Sequence, residues 1–277
     1  MAGSAIRAMV SFFTVWPTDM TQEDLDAMDS RFHLAPVVGA MIGIAVAALA
    51  ALLLILQVNG IIGSGMFSAA VILLAVYAGS RFLHFDGLVD FGDGSVVAGP
   101  QEKHVRALKD TLIGAGGLGV ALTVTLLSFS EYAMAGAALV ILAPVAEVMV
   151  KNSQVAAAAY GDPSNGMAGR QVSETTMRSL AASSAISLAL GMAVCLLGML
   201  LFEAVMSSHG SLVSGGLVAV LLCPAAGVLV SILVGRAVAR RANRVFGFVN
   251  GDVLGAAHEI CRAACMAVLI AVYCLVV

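Results

Sequence analysis

The sequence predicts an all-α fold: a polytopic integral membrane helical bundle of about seven transmembrane helices, with its N-terminus on the cytoplasmic side. Three observations lead there. Hydrophobic residues make up 60% of the 277-residue chain and charged ones only 11%, where soluble domains carry roughly 25% charged residues. Apolar runs long enough to cross a hydrocarbon core recur at 35–57, 61–83, 111–130, 132–150, 179–202, 212–234 and 255–277. When sides are alternated through those runs, every one of the 14 Lys and Arg residues except Arg262 falls on the side of the N-terminus. Positive residues stay inside, so that side is cytoplasmic, in the inner membrane.

Each element follows in order. Residues 1–34 form an N-terminal interfacial or cytoplasmic segment. Its short apolar run, 5–17, is followed by acidic residues from Asp19 to Asp29 and shows no small-residue cleavage pattern, so it is read as interfacial or re-entrant rather than as a signal. Small residues are frequent in the runs, as at 45–51 and 133–138, and let helix backbones approach closely in lipid. The third and fourth runs are the least separated, and a tight turn is expected at Glu131 and Tyr132. Inside the fourth, Glu147 is expected to pair with Lys151, four residues on. A basic run after the sixth, Arg236, Arg240, Arg241 and Arg244, suits lipid headgroups. The long loops, at 81–110, 151–178 and 235–252, all lie on the cytoplasmic side. Function is therefore expected on that face, with active-site loops at 84–110 and 243–255 of a single domain spanning 1–277. The net charge of −3 gives no reason to expect a nucleic-acid partner. Cys195, Cys223, Cys261, Cys265 and Cys274 form no CxxC pair and read as small buried hydrophobes.

Three constellations carry chemistry. The first is His84-Phe85-Asp86-Gly87-Leu88-Val89-Asp90-Phe91-Gly92-Asp93-Gly94, at the end of the second run. Asp86, Asp90 and Asp93 stand at i, i+4 and i+7 and share one face of a helix. Three like charges on one face repel unless a cation neutralises them, and oxygen-only ligands suit a hard cation such as Mg²⁺. The glycines lower helix propensity, so partial unwinding is expected. The second is Lys109-Asp110-Thr111-Leu112-Ile113-Gly114-Ala115-Gly116-Gly117. A glycine-rich helix start exposes N–H groups that bind phosphate, and the same glycines equally serve tight packing, with Asp110 as a plain cap. The third is Asn250-Gly251-Asp252-Val253-Leu254-Gly255-Ala256-Ala257-His258-Glu259. Asp252 and Glu259 face one way, Glu259 lies about two turns into the membrane, where ionisable groups are costly, and Arg262 is placed to pair with it. His258 is read as structural.

Together these segments resemble the cobalamin synthase family, also called adenosylcobinamide-GDP ribazoletransferase or cobalamin-5′-phosphate synthase. The family's H-x-D-G-L-x-D-x-x-D-G matches His84 to Gly94. Its R-D-S-x-x-G-x-x-G corresponds to Lys109 to Gly117, and its T-G-D-x-L-G-A-x-x-E to Asn250 to Glu259. An F-L-T-R-x-P element is similar to Phe12-Phe13-Thr14-Val15-Trp16-Pro17. Lys109, Thr111 and Asn250 replace Arg, Ser and Thr with similar chemistry, whereas Val15 stands where the family has Arg. The resemblance implies a transferase in which α-ribazole, or its 5′-phosphate, attacks adenosylcobinamide-GDP and GMP leaves. It implies Asp86, Asp90, Asp93 and Asp252 as Mg²⁺ ligands and His84, or an Asp, as general base. Lys109, Asp110, Gly114, Gly117, Asn250 and Glu259 would then contact substrate. Membrane lipid is the surrounding partner, and a homo-oligomer stays open. Two rival classes fit the residues less well. A CDP-alcohol phosphotransferase needs an Ala-Arg where Asp90-Phe91 stands. A cation or solute transporter would place its acids near the bilayer midplane rather than at one border.

Overall fold

The structure, a computed structural model, describes residues 2–207 and 216–277. Within them every regular element is a helix. A short amphipathic α1 (Ala2–Phe13) and α2 (Gln22–Ser30) precede α3 (Ala35–Val58). Thr21 starts α2 with a reciprocal cap: its hydroxyl accepts from the Asp24 N–H, and the Asp24 carboxylate accepts from the Thr21 N–H. Arg7 of α1 then grips Asp24 through both carboxylate oxygens at 2.7 Å. Together the cap and this grip hold Asp24 down to about 2, the Thr21 backbone being the larger cause.

Next come α4 (Gly65–Gly79), α5 (Leu83–Val96), α6 (Gln101–Leu108), α7 (Ala115–Ala135) and α8 (Leu139–Ala159). After them follow α9 (Met167–Glu174), α10 (Met177–Met206), α11 (Gly216–Val245) and α12 (Gly251–Val276). The span expected at 212–234 begins outside the described residues.

By length and hydropathy, five helical stretches can cross a membrane, or six if α4 and α5 count as one. One of the five is the continuous run Ala115–Ala159. It doubles back, because Tyr132 and Glu147 both meet the guanidinium of Arg262. Fifteen residues of straight helix would hold them about 22 Å apart. The reversal falls at Gly136, with φ 54°, where the absent Cβ permits a left-handed backbone. Tyr132, expected in the turn, instead lies fully buried inside α7.

The run expected to span as 61–83 also differs. The 15 residues of α4 reach only about 22 Å, short of the roughly 30 Å core. The chain then turns by 90° into α5, so α5 does not continue the axis of α4. Arg81 and Phe82 make that corner at φ 55° and 57°, a conformation that costs a side-chain-bearing residue about 1 kcal/mol. Contacts hold it in place: Arg81 donates to the carbonyls of Ser11 and Phe12, and Phe82 packs on Tyr77 and Phe85.

The axis of the bundle is α8, buried from Leu139 to Ala158. Small residues let its neighbours close in. A Cβ on Gly39 of α3 would lie 2.5 Å from the Glu147 carbonyl oxygen, and one on Gly43 2.8 Å from that of Pro144. Asn152 ties three helices, accepting from Ser183 of α10 and donating to Ser231 of α11, both at 2.8 Å. The outside is inverted relative to a soluble protein: Leu74, Leu126 and Leu229 are about 60% exposed, as lipid-facing side chains are.

Candidate active site

The His84–Gly94 segment is one continuous helix, α5, not a partly unwound loop. Propensity is overridden because its glycines are contact points. A Cβ on Gly87 would lie 2.8 Å from the Asp252 carbonyl oxygen and 2.9 Å from its Cα, so α5 and the start of α12 touch backbone to backbone. A Cβ on Gly92 would lie 3.0 Å from Gly117 Cα of α7.

This contact brings the acids together. Asp86 and Asp252, far apart in sequence, line the same cavity. Asp90, one turn beyond Asp86, is pushed up to about 7, first by burial and then by the charges of Asp252, Asp86 and Asp93. Asn250 caps α12, accepting from the Val253 N–H at 3.2 Å, and donates to the Asp252 carboxylate at 2.6 Å. Lys109 follows α6, its ammonium 5.8 Å from the Phe248 ring centre and near enough for its charge to act on Asp252.

Asp93 does something the sequence did not suggest. Its two oxygens accept from the N–H groups of Gly114 and Gly117, each at 2.7 Å. The N–H groups expected to meet phosphate therefore serve Asp93, which caps α7 from outside its own chain segment. Asp110 accepts from the Leu112 N–H at 3.1 Å and shapes the approach to α7. Asp93→Ala should lower the thermal stability of the detergent-purified protein by about 1–2 kcal/mol. The Mg²⁺ concentration for half-maximal activity should stay within about twofold, since both Asp93 oxygens are already engaged by the Gly114 and Gly117 N–H groups. A large rise in that concentration would make Asp93 an ion ligand after all.

His84 turns inward. It is 3% exposed, stacked on His258 at 3.8 Å and on Phe13 at 5.6 Å. Lys151 Nζ donates to its Nε2 at 3.0 Å and sits 3.9 Å over Phe13. Glu147 pairs not with Lys151 but with Arg262, which also reaches Glu259 at 3.2 Å and His258 at 2.9 Å. Glu259 thus lies within a buried ionic network, one helical layer beneath the acids of the cavity. Lys151 and Glu147 on the axial helix are the functional candidates hardest to place from sequence. Their signal was a polar island, Glu147 and Lys151 to Gln154, in an otherwise apolar run.

Among the described residues, the three-residue group whose ligand atoms all lie within 4.8 Å is His84, His258 and Glu259. Lys151 and Arg262 donate to those two histidines, so cations already fill that spot. The aspartates are spaced more widely. A Mg²⁺ ion among them would take one or two carboxylates and complete its shell with water and substrate phosphate.

A helical membrane bundle with a carboxylate-walled cavity at one border defines a membrane-embedded enzyme. A family model described as cobalamin-5-phosphate synthase matches residues 5–270, and the chain belongs to that family. A relative from Methanocella arvoryzae, named adenosylcobinamide-GDP ribazoletransferase, is 32% identical over 98% of both chains. Relatives of the same name from Methanosarcina mazei and Methanosarcina barkeri are 28% and 26% identical over 96% of this chain and 91% of theirs. No solved structure matches the chain.

Proposed function

We propose that this chain catalyses the reaction for which its relatives are named, the transfer of ribazole onto adenosylcobinamide-GDP. A ribose hydroxyl of α-ribazole, or of its 5′-phosphate, attacks the phosphorus on the cobinamide side. The new P–O bond forms as the bond to the bridging oxygen breaks, GMP leaves, and the hydroxyl proton passes to base. The observation that carries this reading is that Asp86 and Asp252 line one cavity, through the backbone contact at Gly87.

Asp86, Asp90 and Asp252 are the residues that would hold Mg²⁺. When bound, Mg²⁺ offsets the charge of the diphosphate and of the departing GMP. Asn250 fixes the rotamer of Asp252, and Lys109 supplies positive charge at the same edge. Because the Nε2 of His84 is engaged by Lys151, an aspartate of the cluster is the better acceptor for the hydroxyl proton. His84 then orients the start of α5.

Detergent-purified protein given adenosylcobinamide-GDP, α-ribazole and Mg²⁺ should yield a joined corrinoid and GMP. A requirement for a CDP-alcohol instead, or solute flux in vesicles without product, would replace this reading. The clustering of Lys and Arg on the loops beside the cavity supports a cytoplasmic orientation in the inner membrane. In a Cys274→Ser background, removing the exposed native thiol, Ala98→Cys between α5 and α6 should react with an impermeant maleimide only from the cytoplasm. Labelling of intact cells would invert the orientation.

A further inference from the structure

We propose that the cavity roofed by α2 and α9 beside Asp86 and Asp252 is a guanine subsite, in which Asp29, Gln154 and Gln171 read the base of the activated substrate. The inference rests on the reading above that the substrate carries a GDP group. The cavity encloses about 670 Å³, within the usual range for one ligand moiety. Asp86 and Asp252 line the same cavity, so a base seated in it keeps its phosphates within the space those acids border.

Two orphaned groups call for a partner. Gln154 of α8 is 2% exposed and Gln171 of α9 is 6% exposed. Both line the cavity. Neither the Oε1 of Gln154 nor the Nε2 of Gln171 has a hydrogen-bond partner, and buried polar groups left unpaired are uncommon. Both orphaned atoms are themselves shielded from the cavity; an amide can be turned over without changing its shape, which exchanges donor and acceptor at the cavity face.

Asp29 supplies the discriminating group. Burial, its largest influence, raises its carboxyl to about 6, which leaves it mainly ionised at neutral pH. An ionised carboxylate accepts from two adjacent N–H groups. Guanine presents such a pair at N1 and the 2-amino group, and its O6 accepts from an amide N–H. Adenine has no such pair, and the benzimidazole of ribazole has no N–H at all. Phe12 and Met28 add apolar surface for the ring. Arg170 ties α9 to α2 by pairing with Asp26 at 2.5 Å, and Glu174 of its own helix holds the guanidinium at 2.9 Å.

The test is competition against adenosylcobinamide-GDP with GMP, IMP and AMP, on the full chain in detergent. IMP differs from GMP only by lacking the 2-amino group. GMP should inhibit at least about 10-fold more strongly than IMP, and AMP more weakly still. Asp29→Asn should bring GMP and IMP within about twofold and raise KM for adenosylcobinamide-GDP about 10-fold, with KM for ribazole unchanged. Gln171→Leu should weaken GMP and IMP alike, since both carry O6. Equal inhibition of the wild type by GMP and IMP, or an Asp29→Asn variant that keeps their ratio, overturns the subsite. If Asp29→Asn does not fold, the wild-type ratio still decides. Wild-type protein that turns over the substrate without guanine preference loses only the subsite, whereas no turnover at all removes the reading beneath it.

Discussion

Asp86→Asn is expected to lower kcat by about 10³-fold or more while leaving the protein inserted and folded. The side chain is exposed on the cavity wall, so its amide meets no packing penalty, and size is nearly unchanged. What is lost is a negative charge where a diphosphate must be brought against other carboxylates. Two like-charged partners approach only with a cation between them, and a neutral amide is a poor ligand for a hard ion. The check is turnover as a function of Mg²⁺ concentration, with size-exclusion profile and thermal midpoint as controls. Rates within threefold of wild type would take Asp86 out of the chemistry. Recovery at high Mg²⁺ would identify the lesion as weakened ion binding.

Arg262→Met should have the largest effect on stability. Its guanidinium is fully buried and meets Glu147, Glu259, Tyr132 and His258. Removing it leaves two carboxylates inside the bundle without their ion-pair partner, and losing one partner of such a network costs about 3–5 kcal/mol. The apparent Tm in detergent should fall by about 10 °C or more. Neutralising the acids as well, in the triple variant Glu147→Gln, Glu259→Gln, Arg262→Met, should recover more than half of that loss. A buried network replaced as a whole is far less costly than one broken in half. A triple variant no better than the single one would mean that the arginine acts through packing rather than charge.

Much of the fold was legible in the sequence, because lipid imposes simple demands. Apolar runs must be helical to satisfy their backbone groups, and the spans expected at 35–57, 179–202 and 255–277 appear as α3, α10 and α12. Other details were not legible. The turn expected at Glu131 and Tyr132 falls at Gly136, since only the glycine accepts the left-handed backbone there. The pair expected between Glu147 and Lys151 is split between Arg262 and His84. Spacing along one helix says which groups can meet, whereas the opposing helix α12 brought a stronger partner.

The sequence by itself determined the class of environment, the helical runs and the three segments that bear the chemistry. Those follow from hydropathy and from residue type, which are local quantities. The tertiary structure alone decided which groups each acid meets. Asp86 and Asp93 stand on one helix, yet Asp86 opens to the cavity while Asp93 caps α7. Identical side chains took different roles because a carboxylate's task is set by the N–H groups and charges that other segments bring to it, and no window of sequence contains them.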